Sequence, residues 1–320
     1  MIHKIMPPDF LDTSIEYVMI DVRSPLEFIQ GHIPGAKNIP LFSDQERALV
    51  GTLYKQQGKE NAVLHGLQVV GPKLVDFISS VQKITDKKTV LVYCWRGGMR
   101  SSSFAWLLST YGYEVFLLQG GYKSYRNYVL QIPLKKLDLI VISGKTGTGK
   151  TLLLQDFQEK GRQIVDLEGL ACHKGSVFGG IGTAQPTQEQ FENNLGFALH
   201  QLKSDEPTWI EDESRKIGKI IIPVGLWEQM RLAPIWFLDK TKQERIDFLM
   251  QDYGLCSTQD LLQALQGVEK HLGYQRYAQA QELLHNHDRV SFCSMLIDYY
   301  DAAYDNSLMS RRKQIVATAI

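Results

Sequence analysis

Two short stretches of this sequence have the residue types and spacing for chemistry on anions. The first is Cys94-Trp95-Arg96-Gly97-Gly98-Met99-Arg100-Ser101, directly after the apolar run TVLVY and ahead of the apolar segment SSFAWLLSTYGY. A thiol at the tip of a buried strand, followed by a Gly-containing loop and a helix, meets backbone N–H groups that curl around an anion. The positive end of the helix also lowers a thiol pKa. Cys94 is therefore expected to be a nucleophilic thiolate. Gly97 and Gly98 permit the dihedrals of such a cradle, Arg96 and Arg100 add charge for an oxyanion, and Trp95, Met99 and Ser101 complete the loop. The competing reading is a small buried core cysteine. Two arginines and two glycines in the next six residues weigh against it.

The second stretch is Gly144-Lys145-Thr146-Gly147-Thr148-Gly149-Lys150-Thr151, a full match to G-x-x-x-x-G-K-[ST] between the apolar run LIVIS and the helix-like LLLQDFQEKG. Backbone N–H groups of such a loop cradle a diphosphate, Lys150 reaches its terminal oxygens, and the Thr151 hydroxyl meets Mg²⁺. Acids for the metal side are Asp166 and Glu168 after the next strand, and Glu211, Asp212 and Glu213 after the one following. Asp212 is preferred as the metal-assisting acid, against the plainer reading that such residues cap helices or face solvent. The Gly-rich run Gly175–Gly182, behind Cys172-His173-Lys174, reads either as a flexible cover for a phosphate-bearing ligand or as a surface loop.

Both loops need strands to present them. Short runs of β-branched and aromatic residues predict strands at Ile15–Asp21, Thr89–Tyr93, Glu114–Leu118, Leu139–Ser143, Gln163–Leu167, Pro207–Glu211 and Pro234–Leu238, with helix-length spacers between them. That alternation is α/β. The rhythm breaks near residues 126–137, and from about 241 onward only helical patterning is visible. The expected organisation is an α/β domain over 1–130, a P-loop parallel α/β domain over 131–240, and a helical C-terminal region over 241–320 packed on it.

Composition bounds the rest. The 320 residues carry 35 Lys plus Arg against 35 Asp plus Glu, with 44% hydrophobic and 22% charged, an ordinary globular balance. The neutrality is a cancellation: residues 1–137 hold 16 basic and 11 acidic residues, and 138–320 hold 19 and 24. Overall charge therefore excludes only a uniformly basic protein. Cys94, Cys172, Cys256 and Cys293 are widely spaced, which excludes a disulfide framework and a four-cysteine zinc site. No signal peptide or membrane span is visible, so a cytoplasmic protein is expected.

DVRSPLEFIQGHIPGAKNIP, containing Asp21, Arg23, Glu27, Gly31, His32, Pro34, Gly35 and Ala36, together with YCWRGGMRS, resembles a rhodanese domain. Cys94-x5-Arg100 is also the spacing of cysteine-dependent phosphatases, although Tyr93 stands where their pattern usually has His. A sulfur relay or a phosphatase coupled to an ATP-binding P-loop thus stays open on the loops alone. Asp21 and Arg23 read as turn-forming and structural, and His32 as a packed loop residue. With GKTGTGKT, VDLEGLACHKGSVFG, WIEDESRKIG and DYYDAAYD following in order, nearly the whole chain resembles the tRNA 2-selenouridine synthase family. The resemblance implies a tRNA substrate with a wobble 2-thiouridine and replacement of its sulfur by selenium from selenophosphate, via S-geranylation by geranyl diphosphate. On that basis the P-loop holds the diphosphate with Mg²⁺, and the Cys94 loop binds selenophosphate or carries its selenium. His271, Arg276, Tyr277, His285, His287 and Arg289 lend the helical region a basic, aromatic character that is a weak pointer to tRNA.

Overall fold

A computed structural model describes residues 1–12, 14–309 and 311–319. The chain divides into two compact units: residues 1–132 with 192–200, and residues 133–191 with 201–320.

The first unit is built on β1 (Ile2–Ile5), β2 (Val18–Asp21), β3 (Lys37–Asn38), β4 (Thr89–Tyr93) and β5 (Glu114–Leu118), in the order β1-β5-β4-β2-β3 with every pairing parallel. Helices cover such a sheet on both faces, which is why TVLVY is apolar throughout rather than alternating. Val90, Leu91, Val92 and Tyr93 are all fully buried. The core joins Ile20, Val22, Phe77, Val81, Phe104, Leu108 and Val115 around them. The strand expected over Ile15–Asp21 begins only at Val18. β1 lacked a sequence signal because IHKI is an edge strand that pairs on one side only.

The second unit carries β6 (Leu139–Gly144), β7 (Gln163–Val165), β8 (Thr208–Glu211), a small antiparallel pair β9 (Lys216–Ile217) and β10 (Ile220–Ile221), β11 (Ile235–Leu238) and β12 (Ile315–Ala319). Its main sheet runs β12-β11-β6-β8-β7, again all parallel. Helices follow from Lys242 to Met309 and make their own core of Leu261, Leu265, Leu284, Phe292, Leu296 and Ile297. The expectation of helix alone beyond residue 241 fails at the end, where β12 returns to the sheet beside β11. IVATA is short and lies at the edge, so its pattern is too slight to read without its partner.

In parallel sheets, ligand sites lie beyond the carboxyl ends of the strands. The Cys94 loop follows β4, and the phosphate loop begins on the last residue of β6.

Candidate functional site

The cysteine loop hangs from a fixed frame. Arg23 and Asp21 form a buried ion pair, Nε to Oδ1 at 3.1 Å and Nη2 to Oδ2 at 2.6 Å, and Nη2 also donates to the Gly31 carbonyl at 2.6 Å. The guanidinium lies 3.8 Å from the Tyr122 ring centroid. His32 stacks on Phe28 with ring centroids 3.9 Å apart. All three therefore brace the scaffold, as their sequence context indicated. Tyr93, where the phosphatase pattern has His, is fully buried and accepts the Ile33 N–H at 3.2 Å.

Cys94 is only 3% exposed, so its sulfur is recessed from solvent. Its Sγ is 3.2 Å from Ser101 Oγ, and the Ser101 hydroxyl donates to the Gly98 carbonyl at 3.1 Å, which leaves the oxygen lone pairs facing the thiol. Gly97 has φ +64° and Gly98 caps the helix Met99–Thr110, so the loop turns directly into a helix N-terminus. Trp95 packs against Tyr122 at 5.7 Å, and Met99 is 57% exposed at the rim.

The two arginines separate. Arg96 is exposed and has no ion-pair partner among the described residues. Arg100 is engaged by Glu27, Nη1 to Oε2 at 2.7 Å and Nη2 to Oε1 at 3.4 Å. Burial raises the Glu27 pKa, but Arg100, the Ser24 N–H and Arg47 outweigh it and hold the carboxyl below its usual 4.5. Arg100 thus enters the site with its charge partly offset and its guanidinium held.

In the sequence Gln119-Gly120-Gly121 reads only as the end of a strand, yet the fold makes it part of the site. The Tyr122 and Lys123 N–H groups donate to the Cys94 and Trp95 carbonyls, each at 2.9 Å, and clamp the loop from behind. Gly121 has φ +60°, and a Cβ there would lie 2.2 Å from the Cys94 carbonyl oxygen and 2.5 Å from the Gly97 nitrogen. Paired glycines after a buried strand were the available signal.

In the second unit, Gly144 to Thr151 form the turn between β6 and the helix Lys150–Glu159. Gly147 and Gly149 take φ +83° and +80°, and a Cβ on Gly147 would press within 2.9 Å of the Arg245 carbonyl. Lys150 Nζ donates to the Gly144 carbonyl at 3.0 Å, and the Thr148 hydroxyl to the Lys145 carbonyl at 2.9 Å. Lys145 lies 3.6 Å from Asp301. Arg245 donates Nε to the Thr146 carbonyl at 2.8 Å, and the Tyr304 hydroxyl accepts the Gly144 N–H at 2.9 Å. Residues from two remote helices therefore anchor the loop.

The acids sort themselves. Asp212 accepts from Arg311 Nη1 at 2.7 Å and from the Ser143 hydroxyl, which also meets Tyr304. The Thr151 hydroxyl instead donates to Glu168 at 3.0 Å. The structure thus pairs Thr151 with Glu168 and gives Asp212 to the C-terminal strand's neighbour Arg311. Asp166 caps the helix Leu167–Ala171 through the Gly169 N–H. Burial and crowding by like charges raise Glu168, Glu211 and Glu213, with Glu211 reaching about 8, against the pull of Lys150. One Glu211 oxygen accepts the Glu168 N–H at 3.2 Å, and the other is buried with no hydrogen-bond partner among the described residues.

The segment after Cys172 is packed rather than loose. Phe178 is 3% exposed, 5.4 Å from Tyr253 and 5.6 Å from Phe292 between ring centroids, and a Cβ on Gly175 or Gly179 would strike Glu168 or the Lys174 backbone. Of the residues expected to make the helical surface basic, His271, Arg276, His285 and His287 are exposed, Tyr277 packs on the core, and Arg289 donates to the Tyr253 and Gly254 carbonyls.

Known proteins match along almost the whole chain. A profile described as the tRNA 2-selenouridine synthase AAA domain matches residues 137–319, and the rhodanese-like domain profile matches 9–128. The chain is 34% identical to a tRNA 2-selenouridine synthase of Nitrosomonas europaea, over 92% of this chain and 90% of that one. It is 32% identical to the Marinobacter nauticus protein of the same name over 96% and 93%, and 41% identical to that of Bdellovibrio bacteriovorus over 75% and 65%.

Proposed function

The chain belongs to the tRNA 2-selenouridine synthase family, and from that premise we propose that it turns a wobble 2-thiouridine of tRNA into 2-selenouridine in two steps, one at each anion cradle. The observation that carries this reading is the presence in one chain of a recessed cysteine loop and a complete phosphate loop, each beyond the carboxyl end of a central parallel strand.

In the first step the phosphate loop binds the diphosphate of geranyl diphosphate. The allylic C1–O bond breaks, the thione sulfur takes C1, the uridine N3 proton is released, and diphosphate leaves. The Lys150 ammonium exchanges the Gly144 carbonyl for the departing oxygens, where fixed charge lowers the barrier. The Thr151 hydroxyl and Glu168 would hold Mg²⁺, which offsets charge on the diphosphate when bound. The donor set fits, because Mg²⁺ is usually held by one or two carboxylates plus substrate phosphates and waters. Among the described residues no three His, Cys, Asp or Glu converge into an all-protein cage.

In the second step the Cys94 loop seats selenophosphate, with its N–H groups and Arg96 on the phosphate and the Cys94 sulfur at the base of the seat, where it positions the selenium. Selenium attacks C2, geranylthiol leaves with a proton, and water then cleaves the Se–P bond to release phosphate. Arg100, held by Glu27, keeps the loop's shape. We place the enzyme in the cytoplasm with its tRNA; among the described residues no helix is long and apolar enough to cross a membrane.

Two variants test the division of labour. Cys94→Ala should abolish selenation and leave geranylation measurable, and Lys150→Ala should lose geranylation. Selenouridine formed at the parental rate by Cys94→Ala would sink the role given to the cysteine. Thermal stabilisation by ATP but not by geranyl diphosphate would instead support a nucleotide-dependent sulfur relay or phosphatase.

A further inference from the structure

The second unit contains a cavity of about 310 Å³ that no step above uses in full. It reaches Thr151 and Glu168, beside the phosphate loop, and its wall carries the polar Asp166, His173, Lys174 and Thr183 as well as Cys172, Phe178, Ile181, Tyr253 and Cys256. Most of the surface it exposes is nonetheless carbon and sulfur. Part of its wall is stiff, because Phe178 is wedged between Tyr253 and Phe292 and the Ser176 hydroxyl is 3.1 Å from the Tyr253 hydroxyl. Cys172 holds φ +49°, a left-handed conformation rare for a residue with a side chain, where the chain turns along the wall. Strain kept beside a cavity is common at ligand sites.

A diphosphate on the loop with an apolar tail needs a carbon-lined space that starts at the phosphate end and stops at a fixed depth. We propose that this cavity is the seat of the prenyl tail, and that Ile181 and Cys256 set the chain length accepted. The proposal rests on the reading of the phosphate loop as a prenyl diphosphate site. A preformed pocket of this kind discriminates by fit, since adding or removing a few carbons shifts preference by roughly tenfold or more. Ile181 and Cys256 are only partly buried and pack on the edge of the helical core, so they can change size with less disturbance than Phe178.

The test measures prenylation of 2-thiouridine tRNA by the full-length protein with dimethylallyl, geranyl and farnesyl diphosphates. Cys256→Phe should lower the geranyl-to-dimethylallyl ratio about tenfold, and Ile181→Ala should raise the farnesyl-to-geranyl ratio by a similar factor. Inhibition by inorganic diphosphate should stay at the parental level in both, which shows that the phosphate loop is intact. Parental ratios in both folded variants would overturn the cavity assignment alone. Failure of the unaltered protein to use any of the three diphosphates would overturn the assignment together with the reading beneath it.

Discussion

Arg245 and Asp301, fifty-six residues apart, meet in a two-bonded ion pair of 2.8 and 2.6 Å, and Arg245 spends its remaining Nε on the Thr146 carbonyl of the phosphate loop. Arg245 is 4% exposed, so its charge is stranded if Asp301 is removed. A buried cation that loses its partner costs about 3 kcal/mol or more. Asp301→Ala should therefore destabilise the protein by about that amount in urea unfolding, and weaken inorganic diphosphate binding in calorimetry. Unchanged binding would show that the loop keeps its shape without the pair.

Gly121→Ala should disable the cysteine loop without touching the thiol. The new methyl group cannot fit 2.2 Å from the Cys94 carbonyl oxygen, so either the loop or the following helix must move. Selenation should fall at least tenfold while geranylation persists, read by mass spectrometry of digested tRNA. Equal loss of both products would point to general unfolding.

Stability should decline on the acid side through Glu27. Its pKa is lower folded than unfolded, so the folded state favours the carboxylate; the stabilisation is present above the unfolded value near 4.5 and is lost as pH falls through the lower, folded value. Glu27→Gln should be less stable at neutral pH by roughly 1–3 kcal/mol and show a flatter acid-side profile of unfolding free energy. An unaltered slope would assign the acid sensitivity to other carboxylates.

Asn193 is fully buried and donates to the His32 carbonyl at 2.9 Å and the Tyr122 hydroxyl at 2.7 Å, within the first unit. Asn193→Ala leaves both acceptors without that donor, a cost of roughly 1–3 kcal/mol. Amide hydrogen exchange should rise around residues 31–34 and 121–125. Protection there at the parental level would make the pair dispensable.

If the helical surface with exposed Arg276 touches tRNA, the logarithm of affinity should fall linearly with the logarithm of salt, and Arg276→Gln should reduce that slope by about one. Filter binding across a salt series measures it. Affinity flat between low and moderate salt would remove this surface from consideration.

What the sequence made legible was local. TVLVY, EVFLL and LIVIS are buried on both faces, so each reads as a strand, and the two loops keep their chemistry within eight residues each. What escaped depends on residues far away. Nothing local marks IHKI or IVATA as strands, because each is defined by one neighbour across the sheet. Five acids lie at or just past the ends of β7 and β8, but their order along the chain does not tell that Arg311 takes Asp212 and leaves Glu168 to Thr151. Likewise Glu27 sits 73 residues before the arginine it holds.

β12 carries a further consequence. The phosphate loop spans residues 144–151, yet the groups that shape it, Asp301, Tyr304 and Arg311 with the strand after it, come more than a hundred residues later. During synthesis the loop emerges long before its braces. Until β12 is made, the nascent second unit is a sheet with an open β11 edge, exposed to chaperones and to mispairing. A chain stopped before residue 301 would thus carry the complete motif without the Asp301 and Tyr304 braces that hold it.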